Sequence, residues 1–311
     1  MGKYIKFNEY LKKKYGGRIQ KISIDAGFTC PNRDGTKASG GCTFCNNQSF
    51  SPYAMTKEAV EEQIEKAKAF YKKRYKNVKG FLAYFQAFTN TYAPVEKLKE
   101  IYDKAMEYDD IIGMSIGTRP DVVPDEVLDL IATYTIRKPE IWIEYGLQTA
   151  NINTLRAINR AHGVADFVDA VLRTKRRANI KVCAHMIVGL PNETMDDYIE
   201  TIKLIASLPV DGIKIHPLHI VKHTAMEKQY YNGEIKVLDL KEYANIVAEL
   251  LEYLPDGMII HRITGEAHDD ELIAPDWCSP RRKQEVLKEI EDAIKRKEIK
   301  KAINNKMRIF N

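Results

Sequence analysis

Between residues 21 and 220 the sequence repeats one pattern six times, a short strand-like run followed by a longer helical stretch. KISIDAG (21–27) alternates apolar and polar side chains and ends at Gly27, as a strand leading into a loop does. VKGFLAYF (78–85), IIGMSIG (111–117), EIWIEYG (140–146), IKVCAHMIVGL (180–190) and VDGIKIHPLHI (210–220) supply five more strands. The first helix between them spans about 56–76, with Thr56 as N-cap and Ala59, Val60, Ile64 and Ala67 on one face. Others start near Pro94 and Pro124, residues suited to a first helical turn, and fill 151–178, broken at Gly163, and 194–207.

Six such repeats predict a parallel sheet with helices outside. They are too few for a closed eight-stranded barrel. The expected fold is therefore α/β, a partial (β/α)6 barrel of TIM type with a lateral opening and with N- and C-terminal extensions. Residues 1–20 read as a basic N-terminal extension, 21–220 as the barrel, and 221–311 as a C-terminal extension packed on it. Within the latter, 221–238 reads as a Tyr- and Lys-bearing loop, 239–254 as a helix and 257–265 as one more strand. The loop 266–280 leads into a basic terminal helix.

Each strand ends in polar residues: Thr118 and Arg119, Gln148, Asn192 and Glu193, His216 and His219. In barrel folds that edge is where sites are built. The loop after the first strand, TCPNRDGTKASGGCTFCNNQSF (29–50), holds Cys30, Cys42 and Cys45, three of the chain's five cysteines. The first histidine of the chain is His162, so no imidazole lies close in sequence. Three thiolates without a near fourth ligand suit an iron–sulfur cluster that leaves one iron open. A structural zinc site would need Cys183 or Cys278 to close its tetrahedron, and unliganded thiols are the third possibility.

Five cysteines, odd in number and clustered, argue against a secreted disulfide framework. No apolar run approaches the roughly 18 residues of a membrane span, and the basic N-terminus lacks the apolar segment of a signal peptide. The expected location is cytoplasmic. The net charge of +5 is unevenly placed. Residues 1–20 carry six Lys/Arg against one acid and residues 281–311 carry eleven against five, which leaves an acidic body between basic ends. Such ends either grip a polyanion or are solvated helix faces.

With these features placed, the chain resembles the radical S-adenosylmethionine (radical SAM) enzymes over roughly residues 15–280. It looks most like the YhcC/YtqA branch, related to the catalytic core of the Elongator acetyltransferase and to oxygen-independent coproporphyrinogen oxidase. Cys30-x11-Cys42-x2-Cys45 is a wide-spaced form of the superfamily's Cys-x3-Cys-x2-Cys, with an aromatic, Phe44, before the last cysteine. The resemblance implies a [4Fe-4S] cluster on these cysteines. Its open iron chelates S-adenosyl-L-methionine, whose reductive cleavage gives a radical that takes hydrogen from substrate, sheltered from solvent. An external electron donor is implied with it.

The resemblance also assigns residues. YFQAFTNTYA (84–93) stands where the family receives the methionine amino group; Gln86, Ala87 and Phe88 replace its glycines and acid, leaving backbone carbonyls or Thr89 and Asn90. Ser115 and Thr118 end the third strand beside the cofactor. EYGLQT (144–149) resembles an acid-then-Gln pattern that puts Gln148 near the ribose, while Glu144 is either a cofactor contact or a satisfied core acid. Arg160, in NRAH (159–162), is placed to bind the methionine carboxylate bidentately, and Val188 and Leu190 of IVGLPNET (187–194) to pack on adenine. His216 and His219 are the catalytic candidates on the substrate side. Cys183 and Cys278 read as structural thiols.

The branch further implies a tRNA substrate, a wobble uridine whose carboxymethylaminomethyl group becomes aminomethyl. Basic termini across the barrel mouth, with Lys72, Lys73, Arg74, Arg173, Lys175, Arg176 and Arg177, would then track the phosphate backbone. Both internal clusters sit at helix ends, where the helix dipole already favours cations. A radical SAM enzyme on a small molecule and a non-catalytic iron–sulfur or zinc RNA-binding scaffold are the competing readings.

Overall fold

The computed structural model describes residues 4–49, 56, 58–177 and 179–309, with side chains up to residue 300. The chain begins with β1 (Tyr4–Lys6), α1 (Phe7–Tyr15) and β2 (Arg18–Ile24), and the cysteine loop follows. Then come α2 (Val60–Arg74), β3 (Val78–Phe85), α3 (Val95–Met106), β4 (Ile111–Thr118), α4 (Asp125–Tyr134) and β5 (Glu140–Gln148). Next are α5 (Ile152–Ala157), α6 (Val164–Lys175), β6 (Lys181–Val188), α7 (Met195–Ser207), β7 (Gly212–Pro217) and β8 (Ile220–Val221). The last part holds α8 (Ala225–Tyr231), α9 (Leu240–Leu250), β9 (Met258–Arg262), β10 (Leu272–Ala274) and α10 (Lys283–Ile309).

Eight parallel strands form one sheet in the order β1-β9-β7-β6-β5-β4-β3-β2, and β8 pairs antiparallel with β10 outside it. The six expected barrel strands lie side by side in chain order, and β9 and β1 extend them. The sheet curls into a half barrel. Lys21 on β2 and Lys214 on β7 both bond the carboxylate of Glu144 on β5. In a flat sheet those two strands would stand roughly 24 Å apart, five strand spacings. Phe81, Phe85, Tyr102, Tyr134, Tyr145 and Phe167 fill the core between the convex face and its helices.

The concave face is closed at one end by α1, which joins the two edge strands of the sheet. Its Phe7 and Leu11 pack against Ile19, Leu82, Trp142, Cys183 and Ile259, all pointing inward from the sheet. Below them Glu140, the first residue of β5, accepts from Tyr10 at 2.9 Å, Lys14 at 2.5 Å and Tyr15 at 3.0 Å, all on α1. Residues 1–20 thus lie against the N-terminal ends of the strands. The expectation that both basic termini cross the barrel mouth is corrected here: the apolar face of α1 needs the plug position, away from the mouth. At the other terminus Val286, Ile290 and Ala293 of α10 are buried in the helix-side core.

Two local expectations also change. The helix read from Thr56 begins at Val60, capped by Ala59, because buried Gln63 ties its first turn to the end of β2. Gln63 Nε2 donates to the Asp25 carbonyl at 2.8 Å, and its Oε1 accepts from Asp25 N at 2.9 Å. Thr56 instead accepts from the amide of Glu58. The segment read as a loop, 221–238, contains α8, whose N-cap Thr224 accepts from the Glu227 amide and whose Met226 is buried.

Candidate active site

The cysteine loop is built from turns. Cys30 O accepts from the amides of Arg33 and Asp34 at 2.8 and 3.1 Å, and Cys42 O from that of Cys45 at 3.0 Å. The loop is then stitched to its neighbours. Thr43 N donates to Ile158 O at 3.1 Å, Met226 N of α8 donates to Thr43 O at 3.0 Å, and Asn159 Nδ2 reaches the carbonyls of Ser39 and Gly41. Such bonds hold a segment of little regular structure in one shape.

Two side-chain donors converge on the Cys42 sulfur. Asn32 Nδ2 and Arg160 Nη1 both donate to its Sγ, at 3.5 and 3.4 Å. Burial pushes the Cys45 thiol up to about 11, with Cys42 beside it adding to the rise and Arg33 opposing it. Protonated thiols must lose their protons to bind metal. Among the described residues no three His, Cys, Asp or Glu side chains close on one point as a single ion requires. A four-iron cluster takes one thiolate per iron, so its ligands stand farther apart. Cys183 and Cys278 lie instead in apolar clusters, one in the plug and one in the helix-side core.

A cavity opens from this loop into the half barrel. Cys30, Cys42 and Cys45 line one side of it, with Phe44, Gln86, Thr89, Thr118, Gln148 and Arg160 around them. Arg160 Nη2 donates to the carbonyl of Gly146 at 2.6 Å. A Cβ at Gly146 would sit 2.7 Å from that nitrogen and from Gln148 Nε2, so any larger residue would push both side-chain ends from their places. Arg160 Nε, Arg119 Nη1, Asn32 Oδ1 and Asn90 Oδ1 are buried without a hydrogen-bond partner among the described residues. Orphaned buried polar atoms need an explanation, and for the two arginines, which line the cavity, a polar ligand there supplies one. The three thiols and this ring of polar groups fit a cluster with an amino-acid-bearing cofactor beside it.

Not every expected residue reaches the cavity. Asn90 is buried behind it, donating to Gly117 O at 2.8 Å. Ser115 bonds Glu144 at 2.5 Å. Val188 and Leu190 belong to apolar clusters and do not line the cavity, whereas Ile187 and Leu218 do. Strand alternation explains the first case, because Ile187 and Val188 must face opposite sides. His216 and His219 both line the cavity, and burial holds both imidazoles below their ordinary range.

Deeper in, Glu144 is the hub of a polar layer. It accepts from Lys21, Tyr84 and His185 at 3.0, 3.0 and 2.9 Å, and from Ser115 and Lys214. Burial alone would raise its pKa, but Lys21 and Lys214 hold the carboxyl well below the ordinary range. Burial lowers His185 to about 4, with Lys214 adding to the effect. His261 stands 3.7 Å from Glu144, too far for a hydrogen bond, its ring stacked on Phe7 at 4.0 Å.

Sequence reasoning missed Tyr84, His185, Lys214 and Arg262 as lining groups, while Arg119, named there only as a strand-end residue, lines the cavity too. The signal for Lys214 was present. In GIKIHP it shares a face with His216, and a lysine at alternate spacing between isoleucines is unexpected in a buried strand. Tyr84 and His185 carry no comparable mark.

Comparisons with known proteins bear on this geometry. Residues 32–205 match the model of the radical SAM superfamily, and 210–296 that of the radical SAM C-terminal domain. Protein YhcC of Escherichia coli K12 is 41% identical over 275 residues, covering 88% of this chain and 87% of its own length. Uncharacterized YtqA of Bacillus subtilis is 43% identical over 276 residues, covering 88% of this chain and 85% of itself. Among solved structures, Elp3 of the archaeon Methanocaldococcus infernus, with residues 1–46 deleted, superimposes with a TM-score of 0.58 at 16% identity. The match covers 88% of this chain and 63% of that one, a likeness of fold.

Proposed function

The chain belongs to the radical SAM superfamily, and on that premise we propose that it modifies tRNA, turning carboxymethylaminomethyl uridine at the wobble position into aminomethyl uridine. Membership makes it an enzyme of a family that uses a [4Fe-4S] cluster and S-adenosylmethionine, so the non-catalytic scaffold is set aside. Together these cofactors supply a radical that takes a hydrogen atom from the substrate.

Cys30, Cys42 and Cys45 would hold the cluster. Gln86, Thr89, Thr118, Gln148 and Arg160 would bind the cofactor's polar groups and Phe44 its apolar surface, while Asn90, Ser115, Val188 and Leu190 pack behind them. Glu144 acts as a positioning residue for Lys214, Tyr84 and His185. His216 and His219, uncharged by burial, would act on the substrate side as hydrogen-bonding groups.

The observation that carries the tRNA reading is the surface beside the mouth. Helix α8, bonded to the cysteine loop through Met226, ends in Tyr231, which is 69% exposed, and carries the exposed Lys222, His223 and Lys228 on it or just before it. An exposed aromatic among cations suits an unstacked base and its phosphates. A small-molecule substrate is favoured by a different observation, since many cations elsewhere are already paired. Arg173 bonds Asp125 and Asp169, Arg177 bonds Asp125 and Asp129, Lys175 bonds Asp211, and Lys297 bonds Glu249 and Glu252. Mass spectrometry of tRNA nucleosides from a strain lacking the gene decides between them. The tRNA reading expects aminomethyl uridine to vanish and its carboxymethylated precursor to accumulate, whereas an unchanged profile overturns it.

A further inference from the structure

The inside of the half barrel holds a charge that the protein does not balance. At the level of Glu144 the curled sheet contributes two ammonium groups, Lys21 and Lys214, against one carboxylate. Burial keeps His185, His216 and His261 neutral and keeps the proton on Tyr84. At the rim, Arg262 pairs with Glu266 at 2.9 Å, a carboxylate it shares with Lys283 at 3.0 Å, whose own charge is half-exposed and screened by solvent. The layer is therefore left with one positive charge, and Lys214 is only 6% exposed. An uncompensated charge at such depth is costly unless something of opposite sign joins it.

The donors for such a partner face the cavity. Lys214 Nζ donates to Tyr84 Oη at 2.8 Å and to Glu144, which uses two of its three protons. The third has no partner among the described residues, and the side chain lines the cavity. His216 shares the same face of β7 and also lines the cavity. Its neutral ring offers one N–H and has no hydrogen bond among the described residues.

We propose that Lys214 and His216 bind a carboxylate of the substrate at the floor of this cavity. The charge decides the class, because one surplus positive charge matches a monoanion and a phosphate monoester would overshoot it. The depth decides the shape. A blind floor takes a terminal group, whereas a backbone phosphodiester has chain on both sides. The inference rests on the tRNA reading only for the source of the carboxylate, which there is the carboxymethyl unit itself.

The test uses the reconstituted holoenzyme and two anticodon stem-loop RNAs, one with carboxymethylaminomethyl uridine at the wobble position and one with aminomethyl uridine. Wild type should prefer the carboxylated RNA by about tenfold or more, the effect of one charge-assisted hydrogen bond. Lys214→Met should bind both RNAs equally. That variant leaves Lys21 to neutralise Glu144, so it removes the surplus charge and should fold. Equal binding of the two RNAs by wild type overturns the carboxylate floor and leaves the tRNA reading standing. If neither RNA binds, the tRNA reading falls, and the floor is decided with N-methylglycine and N-methylglycinamide as probes. A rise in melting temperature with the acid alone, absent in Lys214→Met, supports the proposal; the same response to acid and amide overturns it.

Discussion

Glu140 and Glu144 lie on one strand, both fully buried, with inward-facing Trp142 between them, and their surroundings differ. Each is paired with two lysines: Glu140 with Lys14 and Lys181, Glu144 with Lys21 and Lys214. Lys14 and Lys181 keep 37% and 22% of their side chains in water, so solvent screens the surplus charge at the closed end. Lys214 keeps 8%. Arg119 Nη1 and Arg160 Nε, without partners among the described residues, also lie beside the open cavity, whereas Glu140 at the plug has a partner for each oxygen. The comparison teaches that an acid between two lysines is screened where water reaches both of them and keeps a dry surplus charge where one of them, Lys214, is shut away.

The largest expected effect separates the two ends by their cysteines. After anaerobic reconstitution, Cys30→Ala, Cys42→Ala or Cys45→Ala should lose the iron–sulfur cluster, while Cys183→Ala in the plug should keep it. Iron and sulfide analysis with the visible absorption spectrum reads this directly. Retention of full iron in all three loop variants would place the metal elsewhere.

Next in size are the acids themselves. Glu144→Gln leaves two ammonium groups without their carboxylate and should destabilise the fold by about 3–5 kcal/mol. Glu140→Gln should cost about 1–3 kcal/mol, since its lysines turn to solvent and mainly hydrogen bonds are lost. Urea denaturation of both variants tests the contrast, and equal losses would break it.

The same contrast has a pH signature. Burial lowers the ammonium of Lys21 to about 8 from the ordinary 10.5, against the pull of Glu144. Between those values the unfolded chain holds a proton that the native protein has released, so stability rises with pH there and is insensitive to this group below it. The gain, on the order of 3 kcal/mol at most, should appear in wild type and be missing from Lys21→Met when urea midpoints are compared across this range. Identical pH profiles would show that Lys21 is hydrated in the native protein.

The barrel was legible because strand-to-helix alternation is a local pattern. The cysteine loop was legible because three of five cysteines crowd one stretch. The plug was not. The three residues of β1 are too few for periodicity, and α1 looks like any basic amphipathic helix until the curl of the sheet makes a hole for Phe7 and Leu11. Glu144 was legible as a buried acid but not as a hub, because its partners come from β2, β3, β4, β6 and β7, up to 123 residues away in sequence. Curvature brings those strands together, and curvature has no sequence signature in any one of them.

A smaller effect concerns the mouth. Arg160→Ala should weaken S-adenosylmethionine binding by about 1.5–3 kcal/mol, the size of one charge-assisted hydrogen bond, without loss of iron. Lys181→Ala at the closed end should leave that affinity unchanged. Equilibrium binding to the reconstituted proteins measures both, and unchanged affinity in Arg160→Ala would return this arginine to a support for the cysteine loop through Cys42.

The smallest effect tests which end meets RNA. Lys222 and Lys228 lie on the segment bonded to the cysteine loop, whereas Lys12 and Lys13 lie on the exposed side of the plug helix. If the mouth receives tRNA, Lys222→Glu with Lys228→Glu should weaken binding and flatten its salt dependence. The flattening should be roughly 0.7–0.9 in log K per log salt for each phosphate no longer neutralised. Lys12→Glu with Lys13→Glu should change neither, because those charges face away from the mouth and are screened within about 10 Å at 0.1 M salt. Iron content and melting temperature should stay at wild-type values in both pairs, since none of the four side chains is in the core. A salt slope altered by the plug pair and not by the mouth pair would put the polyanion at the closed end, and the surface around Tyr231 would lose its assignment.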